Sequence, residues 1–335
     1  MNRVPVFFSV LWLTCFACTT FAIPQQGEPE TIRASVRVVT VDIVVTDRRT
    51  GAHVEDLRKE DFEVFDDGRP VEITFFSRSE EREHPFVLVL FVEVDNSIHP
   101  ILRNLDSKLD HALRNLKPED QVAVFVFDPY NLQMVQELTT GRELVLKALD
   151  RAADLQGQKE KTKRYKKFEA LPNALLAGVN DVQSRRPEAR TAFVVIGSDF
   201  DVVSGKLTDE VTKRLLAAGI TVAGLLKSDA QTSAAKLMVR AMTLPSFGSA
   251  RAEVTGYLSG RTGGETITVS GEDYGEALER VIGNVTQRYS LGFVPAKERI
   301  DGRFHKITVR VNPAVSRQKH GKLEIRARRG YFATP

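Results

Sequence analysis

Residues 86–92, Phe-Val-Leu-Val-Leu-Phe-Val, constrain this chain more than any other stretch. Seven apolar residues in a row, at strand length and without alternation, describe a strand covered on both faces. Such a strand needs a helical layer on each side, and the following sequence supplies the pieces. Leu102, Leu105, Leu109, Leu113 and Leu116 recur at helical spacing. Residues 121–127 are a second buried strand, and 132–138 form an edge strand, third in order. Residues 145–155 and 171–182 read as helices, and 192–196 as a fourth, buried strand. A helix over 211–218 ends at Gly219, followed by a strand at 222–226, a helix at 234–242, a short strand at 266–269 and a closing helix at 274–285. Strands alternating with helices predict a doubly wound, Rossmann-like α/β domain, with ligands expected at the carboxyl ends of its strands.

On both sides of this unit the pattern changes to β. Upstream, residues 36–45 are rich in β-branched residues, and Asp66-Asp67-Gly68 separates the runs 62–65 and 71–76. Asp-Gly between alternating runs signals a hairpin. Downstream, residues 289–294, 306–311 and 322–328 are strand candidates separated by turns at Asp301-Gly302 and Asn312-Pro313. Neither β segment is large enough to bury a core alone. Joined, they would make a small β-sandwich with the α/β domain inserted between its halves. The expected organisation is therefore a leader at 1–22, an N-terminal β segment at 23–83, the α/β domain at 84–287, and a C-terminal β segment at 288–335 that packs with the N-terminal one.

The leader has the anatomy of a secretory signal peptide: Arg3, an apolar run over residues 6–16, and small residues around Ala22. Export to the periplasm or the medium is expected, with lipoprotein anchoring the weaker alternative, since neither Cys15 nor Cys18 sits in a convincing lipobox. These are the chain's 2 cysteines. A four-cysteine zinc site and a disulfide-rich scaffold are thereby excluded. The balance of 47 basic against 44 acidic residues argues against a nucleic-acid partner. No stretch after the leader is apolar enough to cross a membrane.

Several short motifs follow one another in a set order along the chain. They are Val41-Asp42-Ile43-Val44-Val45-Thr46-Asp47, Asp61-Phe62-Glu63-Val64-Phe65-Asp66-Asp67-Gly68 and Leu116-Lys117-Pro118-Glu119-Asp120-Gln121-Val122-Ala123. They continue with Thr262-Gly263-Gly264, Arg288-Tyr289-Ser290-Leu291-Gly292-Phe293, Asp301-Gly302-Arg303-Phe304 and Arg326-Ala327-Arg328-Arg329-Gly330-Tyr331-Phe332. Together and in this order they resemble the bacterial VWFA-related family, whose von Willebrand factor type A (VWA) domain carries a β segment on each side, and the resemblance implies an exported protein-binding module. It also implies a divalent metal held by Asp-x-Ser-x-Ser after the first strand, a Thr before a middle helix and an Asp after the fourth strand.

This chain departs from that metal pattern. Its first loop is Glu93-Val94-Asp95-Asn96-Ser97-Ile98-His99. With Asp95 in the first position, Ser97 matches and His99 replaces the second serine. With Glu93 in that position, Asp95 replaces the first serine. Both registers stay open. Glu169 stands where Thr is expected, and Asp199 or Asp201 can fill the last position. The expectation is a degenerate site without metal; the competing reading keeps Mg²⁺ or Ca²⁺ on a more acidic ligand set. Just before the middle helix, residues 159–167 carry six basic residues in nine, among them Lys161, Lys163, Arg164, Lys166 and Lys167. This loop could attract an acidic protein partner in place of the metal; the plain alternative is a solvated charge run.

Catalytic constellations are missing from the sequence. There is no Gly-x-Ser-x-Gly elbow, no phosphate-binding glycine loop, and no pair of histidines at metal spacing. The expectation is a non-enzymatic binding module, with a metal-dependent hydrolase on a Rossmann-like scaffold as the alternative.

Overall fold

A computed structural model describes residues 38–81, 84–94, 106–128, 131–154, 169–198, 202–228, 250–269, 274–315 and 321–332. The leader and the proposed helix at 234–242 lie outside them. In chain order the strands are β1 (Val39–Asp47), β2 (Phe62–Asp66), β3 (Arg69–Val71), β4 (Phe75–Ser77), β5 (Phe86–Glu93), β6 (Gln121–Phe127), β7 (Leu132–Thr139) and β8 (Arg190–Ser198). They continue with β9 (Val202–Ser204), β10 (Thr221–Lys227), β11 (Ala250–Ala252), β12 (Thr266–Val269), β13 (Tyr289–Phe293), β14 (Phe304–Val311), β15 (Leu323–Ala327) and β16 (Gly330–Phe332). The main helices are α1 (Asp106–Leu113), α2 (Arg142–Asp154), α3 (Ala170–Arg185), α4 (Gly205–Ala217), α5 (Val254–Thr262) and α6 (Tyr274–Thr286).

The central sheet has the order β12-β10-β8-β5-β6-β7. All its pairs are parallel except β6 with the edge strand β7. Its middle strand β5 shows why a continuous apolar run was required. Phe86, Leu88, Leu90 and Val92 pack with α1, α2 and α6 on one face. Val87, Val89 and Phe91 pack with α3, α4 and α5 on the other. Every one of these strand side chains is fully buried.

Two antiparallel sheets, β15-β1-β13-β4 and β16-β14-β2-β3, draw their strands from both ends of the chain and enclose a third core. Ile43, Val64, Leu291, Ile307 and Tyr331 meet there. This is the β-sandwich anticipated from the flanking patterns. One difference concerns residues 71–76, read as a single strand. The chain instead leaves β2's partner β3 and crosses to the opposite sheet, where β4 pairs with β13. Thr74 makes the crossing by donating its N–H (2.7 Å) and hydroxyl (3.2 Å) to the Gly292 carbonyl. The hairpin before it follows its sequence: Asp67 and Gly68 both take positive φ, 46° and 81°, as a two-residue primed turn needs.

Arginines tie the sandwich to the α/β layer. Arg288 is 3% exposed and donates to the Asn284 carbonyl (2.7 Å), the Thr221 hydroxyl (3.1 Å) and the Gly263 carbonyl (3.1 Å). Burial pushes its pKa down to about 9, so it remains charged at neutral pH. Arg190 pairs with Asp42 at 3.1 Å and donates to the Val285 carbonyl at 2.9 Å. Arg326 pairs with Glu265 at 2.7 Å.

Candidate functional site

The carboxyl ends of β5, β8 and β10 define the face where the sequence placed its metal-site residues. Asp95, Ser97, Asp199, Asp201 and the basic loop residues Lys161, Lys163, Arg164, Lys166 and Lys167 lie outside the described residues. Glu93 and Glu169 lie within them. Glu93 is the last residue of β5, and the next amide, Val94 N–H, still donates to the Phe127 carbonyl of β6 at 2.8 Å. The side chain of Glu93 turns towards β8. Its Oε2 accepts from the Ser198 N–H at 2.6 Å and from the Ser198 hydroxyl at 2.9 Å. That oxygen sits 2.7 Å from where a Cβ on Gly197 would lie, so glycine there makes room for it. Glu93 thus links the ends of the two central strands at the mouth of the first loop.

Glu169 caps the amino end of α3 through its backbone alone: its carbonyl accepts from Asn173 N–H at 3.1 Å, while its exposed side chain makes no capping bond. A carboxylate beside a helix amino terminus is favoured by the helix dipole. Nearby, Asp128 closes the β6–β7 turn by accepting from Asn131 N–H at 2.8 Å. The described rim of this face therefore carries hydrogen-bonded acidic side chains at strand ends, Glu93 and Asp128, and an exposed one, Glu169, at a helix end.

A cavity lies elsewhere, at the amino ends of β8 and β10, between the α/β layer and the sandwich. It measures about 690 Å³ and is lined by Asp42, Phe75, Arg190, Leu216, Arg328 and Tyr331 among others. Asp42 and Arg190 are already paired across it. Its size falls in the range of ligand pockets, but it sits at the opposite end of the sheet from the strand-end loops.

Sequence reasoning passed over one further cluster. His305 on β14 meets Asp66 and Asp67 from the end of β2, with a ligand atom from each within 4.8 Å of the others. Looking for local histidine spacing could not find it, because the partners come from opposite ends of the chain. The available signal was that both Asp66-Asp67-Gly68 and Asp301-Gly302-Arg303-Phe304 belong to the motifs quoted above.

No protein-family model matches the chain, and no curated protein matches it. Solved structures do. The human COPII-coat protein Sec24c is 9% identical with a TM-score of 0.42, over 75% of this chain and 44% of that one. The chain therefore spans less than half of that protein's length. A von Willebrand factor type A protein from Catenulispora acidiphila is 8% identical, TM-score 0.42, over 82% of this chain and 73% of that one. The SpRpn10 VWA domain is 8% identical, TM-score 0.36, over 60% of this chain and 93% of that one. The α/β layer itself has six strands in the order above, one antiparallel edge strand, and helices on both faces.

Proposed function

We propose that this chain is an exported, non-enzymatic protein-binding module that engages its partner through the strand-end face of the α/β layer, at a degenerate metal site. The observation that carries this reading is Glu93. At the point where the first loop leaves the sheet, its carboxylate accepts two hydrogen bonds from Ser198 and joins β5 to β8. Replacement of the expected Thr by Glu169, and of one serine of the first loop by His99 or by Asp95 according to register, points the same way. The basic loop, with Lys161, Lys163, Arg164, Lys166 and Lys167, would supply the positive charge that a metal supplies in an intact site and would favour an acidic partner. Export rests on the leader at residues 1–22. Among the described residues no helix is long and apolar enough to cross a membrane.

The test is affinity capture from envelope extract with the leaderless protein, with and without chelator, beside a variant in which four of the loop cations are replaced by Gln. Capture should survive the chelator, weaken with added salt, and drop in the loop variant. Loss of capture in chelator would restore a working metal site. Unchanged capture by the loop variant would remove the electrostatic part of the reading.

A further inference from the structure

The cluster around His305 is built like a metal centre in one specific respect. His305 is buried, and its two ring nitrogens face two carboxylates: Nδ1 lies 3.0 Å from Asp67 Oδ2 and Nε2 lies 2.9 Å from Asp301 Oδ1. Asp66, 3% exposed, accepts from the Tyr331 hydroxyl at Oδ2 (3.1 Å), while its Oδ1 is buried and has no hydrogen-bond partner. A protonated imidazole cannot serve that oxygen. It has two N–H groups, and Asp67 and Asp301 take both. A buried carboxylate oxygen without a partner is costly, so Asp66 is short of a donor or a cation beside Asp67 and His305.

We propose that His305, Asp67 and Asp66 bind a zinc ion that staples the two ends of the β-sandwich. Imidazole with two carboxylates suits zinc better than calcium or magnesium, which prefer oxygen alone. Ligand atoms about 2.0–2.1 Å from a tetrahedral zinc stand roughly 3.3 Å apart, close to the 3.0 Å between Nδ1 and Oδ2. Asp301 on Nε2 is the outer carboxylate that orients a ligating histidine, and the Tyr331 hydroxyl does the same for Asp66. The Arg299 guanidinium contacts Asp67 Oδ2 and also lies 3.5 Å from His305 Nδ1, so it must leave both for zinc to bind. It stands on a short 3-10 turn (Lys297–Arg299) with no buried residue, where a side chain can swing outward. Arg303 reaches Asp301 only at 3.8 Å from an exposed position. Three carboxylates against one close guanidinium leave room for two positive charges.

The consequence is structural. Asp67 and His305 are 238 positions apart, so one ion would close the loop that contains the whole α/β domain. The cysteines are confined to Cys15 and Cys18, and a metal would provide the cross-link that disulfides provide in other exported proteins.

The experiment uses the full leaderless chain, stripped with chelator and then given Zn²⁺ alone. Bound metal is measured after desalting, with melting temperature and the visible spectrum of the Co²⁺ form as separate readouts. About one zinc per chain, a rise of several degrees in Tm and a tetrahedral Co²⁺ band are expected. Asp66→Asn should weaken binding at least tenfold, and Asp301→Asn should weaken it about 10–100-fold through the histidine. If His305→Gln fails to fold, these two milder variants still decide the matter. A stripped chain that retains no zinc, or an Asp66→Asn variant that binds as tightly as the parent, overturns the assignment. So does loss of the zinc in Asp95→Ala, which would place the ion at the strand-end loops.

Discussion

Gly264 follows α5 in the Thr262-Gly263-Gly264 motif, and a Cβ on it would stand 1.8 Å from the Val222 carbonyl oxygen of β10. That contact is backbone against backbone, so no side chain can turn aside. Gly264→Ala should therefore cost more than about 3 kcal/mol, by displacing α5 from the sheet; urea unfolding of the variant will measure it. A loss under about 1 kcal/mol would mean that the loop yields. Other motif residues have equally local reasons. Asp120 accepts from the Phe86 N–H at 2.9 Å and the Lys117 N–H at 2.7 Å, tying the first central strand to the turn before the second. The Tyr289 hydroxyl donates to the Val54 carbonyl at 2.7 Å and accepts from Leu57 N–H at 3.1 Å. The motifs that suggested a binding family are thus, where described, mostly the fastenings of the fold. Glu93 links strand ends as well, through its two bonds to Ser198.

Among the elements, α5 was invisible in the sequence, and the cause is its composition. Its buried residues are Val254, Thr255, Leu258, Ser259 and Thr262. They recur with helical spacing, but three of the five carry hydroxyls, so no apolar period stands out. Two of those hydroxyls bond inside the fold: Ser259 donates to the Gly256 carbonyl at 3.0 Å, and Thr262 donates to the Leu258 carbonyl at 2.9 Å and accepts from Val222 N–H at 2.9 Å. Gly256 in the same helix is different from Gly264, since nothing lies within 4 Å of where its Cβ would be. Gly256→Ala should stabilise the protein by about 0.4–1 kcal/mol, because it restricts the unfolded chain at no steric cost. A rise in the denaturation midpoint at unchanged slope is the expected result, and a fall would mean that the helix face is already in contact with something. Strongly periodic elements gave no such difficulty: α2, α3 and α6 lie within a few residues of their expected bounds. Strand 71–76 was mistaken for one element because nothing in its local sequence states that Thr74 must reach Gly292.

For the molecule as a whole, the joint between sandwich and α/β layer should make stability depend on pH. His53 is half-buried, and burial, then the charges of Arg288 and Arg326, lower its pKa from the ordinary 6.5. The unfolded chain then binds the proton more readily than the folded one. The stability His53 contributes is complete above about pH 6.5 and declines as the pH falls through the lower folded value. Between pH 7.5 and 5.5 the parent should lose more stability than His53→Gln, as read by urea midpoints at each pH. Equal losses would show that His53 is solvated in the native state. Other groups titrate in the same window, and only the difference between the two proteins isolates this one.

The sequence by itself determined the layers. Apolar runs at strand length, helical periods between them and β patterns on either side leave few alternatives to a covered parallel sheet inserted in a sandwich, because burial is a property of each local stretch. Only the tertiary structure decided which polar groups meet. Asp66 with His305, Glu93 with Ser198 and Arg288 with Thr221 are separated by 67 to more than 230 positions. Hydrogen bonds and ion pairs act over a few ångströms in space, and distance along the chain carries no record of them until the strands have been paired.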